Sequence, residues 1–72
     1  MNLQKTICLN INKLMKNKKI TIEHLSSLTN IKTTRLKTIL NKDIKKRITI
    51  DEIHRISKSL NIPINILFNP LN

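Results

Sequence analysis

Seventy-two residues (8.4 kDa) leave room for one small domain, because a chain this short buries only ~60% of its unfolded surface. That excludes a two-domain enzyme and a deep substrate cleft. Fourteen Lys and Arg against four Asp and Glu give +10, and a 39% hydrophobic content, enough for a core, excludes a disordered basic tail.

A compact domain this basic suits a polyanionic partner. Cys8 is the only cysteine, so no internal disulfide can form, which fits a reducing compartment. The N-terminal stretch carries no long apolar run, so neither a secretory signal nor a membrane span is expected. The expected location is the cytoplasm.

From Leu3 to Met15, the apolar residues Leu3, Ile7, Cys8, Ile11, Leu14 and Met15 fall on one helical arc of roughly 140°. Leu9 lies off that arc. The spacing predicts a first amphipathic helix, ended by Asn17, Lys18 and Lys19. Glycine is absent, so later breaks must come from Asn, Pro, Thr and charge.

Thr21 with Glu23 opens a second helix that Asn30 and Ile31 close. Thr49 with Asp51 opens another, closed by Asn61 and Ile62. Threonine caps helix starts, acids in the first turn complement the helix dipole, and Asn tolerates the left-handed conformation that ends a helix. Thr49 and Glu52 have capping-box spacing. Between these two segments, Leu36, Ile39 and Leu40 share one side of a short third helix spanning residues 32–40.

Residues 41–48 form a charged loop. Pro63 sits at a first-turn position and permits a short last helix through Phe68, stopped before Pro70. The nearest approach to a strand, residues 44–50, is interrupted by three basic residues. The fold class is therefore all-α, with five short helices.

The stretch from Ile22 to Asn41 is the most informative. Two helices crossing steeply over a short turn need a small residue where they touch and a residue that accepts positive φ. They also need apolar anchors on both sides. Ser26, Asn30 and the set Leu25, Ile31, Leu36 and Ile39 meet those needs.

With Thr21 to Ser26 opening the second helix and Thr49 to Phe68 behind, the sequence resembles the lambda-repressor and Cro-like helix-turn-helix family. This family is also called the xenobiotic-response-element family, and the resemblance runs from about Ile11 to Phe68. It implies a lambda-repressor-like five-helix DNA-binding fold, often dimeric, whose third helix reads bases in the major groove near its start. Residues 1–72 are then a single domain, with the helix-turn-helix at about 22–41 and the C-terminal helices at about 49–68.

The chain departs from the family at Ser26, where Ala is common, and at Asn30, where Gly is common. Ile22 stands where the family's Gln reaches a phosphate, a contact Ile cannot make. Lys32 replaces a capping Ser or Thr, so the third helix is expected to start at Thr33. The following loop is longer and more basic than usual.

Charge is distributed unevenly along the chain. Residues 1–19 carry five Lys and no acid, residues 32–47 carry seven basic residues and one acid, and residues 48–72 balance. Solubility alone requires no such asymmetry, whereas a phosphate-facing surface does.

Within the resemblance, Thr33, Thr34, Arg35, Lys37 and Thr38 are the base-reading candidates. The threonines can act through hydroxyl bonds or methyl contact with thymine, and Arg35 and Lys37 through guanine or phosphate. Lys32, Asn41, Lys42, Lys45, Lys46 and Arg47 are phosphate candidates. Ile64, Ile66, Phe68 and Leu71 are more apolar residues than one short helix can pack inward, so they are dimer-interface candidates, with Ile66 and Phe68 projecting outward.

Other residues that could carry chemistry read as structural. His24 and His54 lack Cys or acidic neighbours at metal spacing, Cys8 lies on the apolar arc, and Ser26 and Ser57 lack a base partner. No catalytic residue, metal site, cofactor or small-molecule ligand is expected.

The leading function is a sequence-specific transcriptional regulator, a small Cro-like repressor acting as a weak homodimer on double-stranded DNA with two half-sites. The alternative is a helix-turn-helix module that binds protein, as an antitoxin or an antagonist of another regulator. The basic third helix weighs against that alternative. A membrane-surface role fits poorly with short, individually capped helices and no Trp.

Overall fold

The computed structural model describes residues 3–41 and 47–69. The expected contacts at Lys42, Lys45, Lys46 and Leu71 lie outside the described residues. Four α-helices and a 3-10 helix follow in chain order: α1 (Leu3–Lys18), α2 (Ile22–Thr29), α3 (Thr33–Ile39), α4 (Ile50–Ser59) and the 3-10 helix Ile64–Phe68. Among the described residues there is no strand, so the all-α reading holds.

The helix ends show how a chain without glycine turns. After α4, Asn61 takes φ 56°, and the N–H groups of Asn61 and Ile62 donate to the carbonyls of Lys58 and Ser57 at 3.1 and 3.0 Å. That is a Schellman ending. Asn30 ends α2 in the same left-handed region (φ 63°), with a single bond to the Ser26 carbonyl at 2.9 Å.

The third such ending was not expected. α1 runs past the apolar pattern to Lys18, and Lys19 takes φ 55° while Lys19 and Ile20 close back on Lys16 and Met15. The helix thus ends within the expected Asn17–Lys19 stretch, and that pair of backbone bonds offsets the local cost of a left-handed lysine.

Helix starts follow the sequence closely. The Thr21 hydroxyl accepts from the His24 N–H at 3.1 Å, and Thr49 and Glu52 form a complete capping box. Lys32 offers no side-chain cap, and α3 begins at Thr33.

The last element is a 3-10 helix with Pro63 just ahead of it, not inside its first turn. The carbonyls at and just past its end are bonded from outside: the buried Asn10 amide donates to Leu67 and Asn69 at 2.8 and 2.7 Å. These are carbonyls a short helix leaves without an internal partner.

The core gathers Ile7, Ile11 and Met15 from α1, Leu25 from α2, Leu36 and Ile39 from α3, and Ile53 and Ile56 from α4, closed by Leu60 and Leu67. Each such side chain contributes roughly 1.5–3 kcal/mol by leaving water. Cys8 is part of this packing: its thiol donates to the Ile39 carbonyl at 2.7 Å, and burial pushes its pKa up.

The C-terminal apolar cluster is not the free patch that was expected. Ile64 and Phe68 are half-buried against the core, and Ile66 is also partly covered. They sit inward because Asn10 draws the 3-10 helix onto α1. The large apolar side chains left in solvent are Leu3, Leu9, Leu28 and Ile50, the last 71% exposed.

Candidate nucleic-acid interface

The α2–turn–α3 unit is fixed by polar bonds as well as by its anchors. Leu25, Leu36 and Ile39 are fully buried beneath it. Where the helices meet, the Ser26 hydroxyl donates to the Ile31 carbonyl across the turn. The neighbouring Thr29 hydroxyl donates to Leu25 at 2.8 Å and accepts from the Ile31 N–H at 3.2 Å. Arg55 on α4 donates to the Thr29 carbonyl at 3.3 Å, tying the end of α2 to the next helix. Sequence reasoning identified Ser26 and Asn30 but missed Thr29, although a Thr one residue before a left-handed Asn can bond its own backbone in this way.

With α2 fixed, α3 presents two opposed sides. At 3.6 residues per turn, Leu36, Ile39 and Leu40 point into the core, with Arg35 at that side's edge. The opposite arc, about 140° wide, carries Thr33, Thr34, Lys37 and Thr38 and ends at Asn41. Thr34, Lys37 and Asn41 are exposed, while Thr33 and Thr38 are half-exposed. The Thr38 hydroxyl proton is already committed to the Thr34 carbonyl at 3.0 Å, which leaves its methyl and its oxygen lone pairs for other contacts. Lys32, just before α3, and Arg47, whose carbonyl is bonded by Arg35, are also exposed.

Arg35 departs from its expected place among the base readers. Its Nε and Nη2 hold the two carboxylate oxygens of Glu52 at 2.7 and 2.9 Å, and Nη2 also donates to the Arg47 carbonyl at 3.1 Å. A guanidinium held on a carboxylate by two parallel bonds is directional and strongly localised. The pair leaves its mark on titration: the hydrogen bonds from Arg35 hold the Glu52 carboxyl below the usual carboxylate range, assisted by those from Thr49. Arg35 is raised in turn by its bond to Glu52.

Glu52 stands seventeen positions along the chain from Arg35, beyond any local spacing rule, and is the residue here that sequence reasoning had no signal to find. Elsewhere on the surface, Asp51 pairs with Arg55 at 3.0 Å, and His24 and His54 are exposed. No helix among the described residues is long and apolar enough to cross a membrane.

One family's sequence model, that of the Cro/C1-type HTH (helix-turn-helix) DNA-binding domain, matches residues 10–68, most of the chain. No curated protein and no solved structure matches.

Proposed function

The chain belongs to the Cro/C1-type helix-turn-helix family of DNA-binding domains, and from that membership we propose that it is a single-domain, sequence-specific transcriptional repressor. It acts as a weak homodimer on an operator with two half-sites. The observation that carries this reading is the outer arc of α3, where Thr33, Thr34, Lys37 and Thr38 stand opposite the buried anchors. A helix so mounted can enter a major groove with its short side chains against base edges.

Lys32, Asn41 and Arg47, with Lys42, Lys45 and Lys46 of the loop, take the phosphates on either side. Arg35 is set apart from the readers because three of its five N–H donors are held by Glu52 and the Arg47 carbonyl. One half-site holds too little information to mark a single genomic position, and two-fold pairing doubles it. The C-terminal segment supplies the pairing surface. Ile66 contributes most, and Ile64 and Phe68 offer the parts of their side chains that the core leaves uncovered; Leu71 is a further candidate for the same contact.

The test is selection of bound duplexes from a random library at roughly 0.15 M salt, where exposed charges are well screened. Two related half-sites with centres about 34 Å apart are expected. Enrichment of no sequence would refute the reading. It would leave the protein-binding alternative, which the basic outer arc does not favour.

A further inference from the structure

We infer that Arg35 and Glu52 form a positioning pair for DNA reading: without touching DNA, they set the angle at which α3 is presented relative to α4. The inference rests on the proposed function, in which the outer arc of α3 reads bases.

Three segments meet at one guanidinium. Arg35 lies in the first turn of α3, between the outward Thr34 and the buried Leu36. It grips both oxygens of Glu52 in the first turn of α4, and it binds the carbonyl of Arg47, which follows directly on the loop lysines. Glu52 is itself fixed, because its Oε1 accepts from the Thr49 N–H at 2.9 Å and from the Thr49 hydroxyl at 3.1 Å.

The turn before α3 is pinned at the buried Ile31, which bonds to Ser26 and Thr29. The helix itself has seven residues and no side-chain cap, with its buried anchors at its middle, Leu36, and its end, Ile39. Apolar anchors hold depth well but resist rotation poorly, whereas a two-point bond between planar groups resists rotation. Three of the four residues on the reading arc are threonines, whose hydroxyl and methyl lie only one bond beyond Cβ. Short side chains cannot compensate for a misplaced backbone by changing rotamer, as a Gln or Arg can. Correct presentation of α3 therefore matters more here than it would for longer readers.

The test compares wild type, Arg35→Ala, Arg35→Lys, Glu52→Gln and the double variant Arg35→Ala with Glu52→Gln. Each is first shown to be folded at the assay temperature by circular dichroism. Glu52→Gln keeps the side chain's size and its bond from the Thr49 N–H, so it serves as the variant least disturbing to the fold. Fluorescence anisotropy then measures binding to the selected operator and to a scrambled duplex across a salt series.

Arg35→Ala and Glu52→Gln should each weaken operator binding by about tenfold or more, the cost of roughly one misread base pair. Affinity for scrambled DNA and the salt slope should stay near wild type, since neither residue holds a phosphate. Arg35→Lys keeps the charge but not the fork and should not restore operator binding. The double variant should be no worse than either single one.

Glu52→Gln is decisive. It removes a negative charge near the DNA-facing surface and loosens Arg35, so it should tighten operator binding if charge alone matters or if Arg35 is a reader. Unchanged or tighter operator binding by this variant, with wild type still selective, overturns the inference and leaves the proposed function standing. A wild-type chain that selects no sequence overturns both.

Discussion

Among the described residues, three occupy the left-handed region: Lys19, Asn30 and Asn61, at φ 55°, 63° and 56°. They invite one graded experiment, replacing each with glycine. A side chain bearing a Cβ costs roughly 1–2 kcal/mol in this region, and less for Asn, whose short polar side chain suits it. Glycine removes that cost but gives back about 0.4–1 kcal/mol through the larger entropy of its unfolded chain.

For Lys19→Gly, the balance is a gain of about 0.5–1 kcal/mol. At 4–8 °C per kcal/mol for a domain this small, Tm should rise by roughly 2–8 °C. Asn30→Gly and Asn61→Gly should stay within about 0.5 kcal/mol of wild type, because the two terms nearly cancel. Asn30→Ile, branched at Cβ, should lose on the order of 1 kcal/mol or more. Lys18→Gly, one residue earlier and still helical, is the control and should lose about 1 kcal/mol.

Thermal unfolding followed by circular dichroism at one protein concentration and one salt concentration reads all five. A Lys19→Gly variant that melts no higher than wild type would falsify the reasoning. So would Asn30→Gly and Asn30→Ile melting at the same temperature.

Other predictions rest on single interactions. Glu52→Gln should cost about 1–2 kcal/mol near neutral pH, from the lost charge-assisted bonds. Because Arg35 holds the folded Glu52 carboxyl below its ordinary 4.5, that stability is complete above the ordinary value. It fades as pH falls through the lower folded value, so the gap between wild type and Glu52→Gln in denaturant melts should close in acid. Asn10→Ala should cost about 2 kcal/mol in urea unfolding, since it leaves the Leu67 and Asn69 carbonyls without their donor. If each protomer neutralises about four phosphates, operator binding by the dimer should fall with a log–log salt slope near −7.

Much of the fold was legible because the signals were local. Thr49 and Glu52 three residues apart, the helical spacing of Ile7, Ile11 and Leu14, and Asn where a glycine would turn the chain all act within one or two turns. The outer arc of α3 was legible for the same reason, since periodicity alone separates Thr34 and Lys37 from Leu36 and Ile39. What escaped were bonds between distant segments. Asn10 and Asn12 carry no local signal for a distant partner, yet their amides bind the Leu67 and Leu40 carbonyls, far along the chain. Gln4 accepts from the Ile48 N–H in the same manner. Arg35 was expected among the readers because its charge fits a DNA contact as well as it fits an ion pair. Its bond to Glu52 comes from the approach of α4, which no local pattern reveals.

That bond alters how the net charge of +10 should be understood. Both ion pairs among the described residues use arginine, Arg35 with Glu52 and Arg55 with Asp51, while Lys5, Lys16, Lys32 and Lys37 are exposed and in neither pair. The division follows the chemistry of the two cations. A planar fork suits a fixed internal bond, and a flexible, strongly hydrated ammonium suits phosphates at variable positions along a duplex. On the proposed reading, the attractive force for DNA comes largely from lysines and carries no sequence information. Discrimination comes from uncharged threonines. The two contributions then separate with salt. Raising ionic strength releases the advantage of the phosphate contacts on operator and random DNA alike, whereas hydroxyl and methyl contacts with bases release no counterions. The ratio of operator to random affinity should therefore change little across a salt series in which both affinities fall steeply. A ratio that collapsed in step with affinity would instead make a charged side chain the principal reader, with Lys37 first to be tested because it is the lysine on the outer arc of α3.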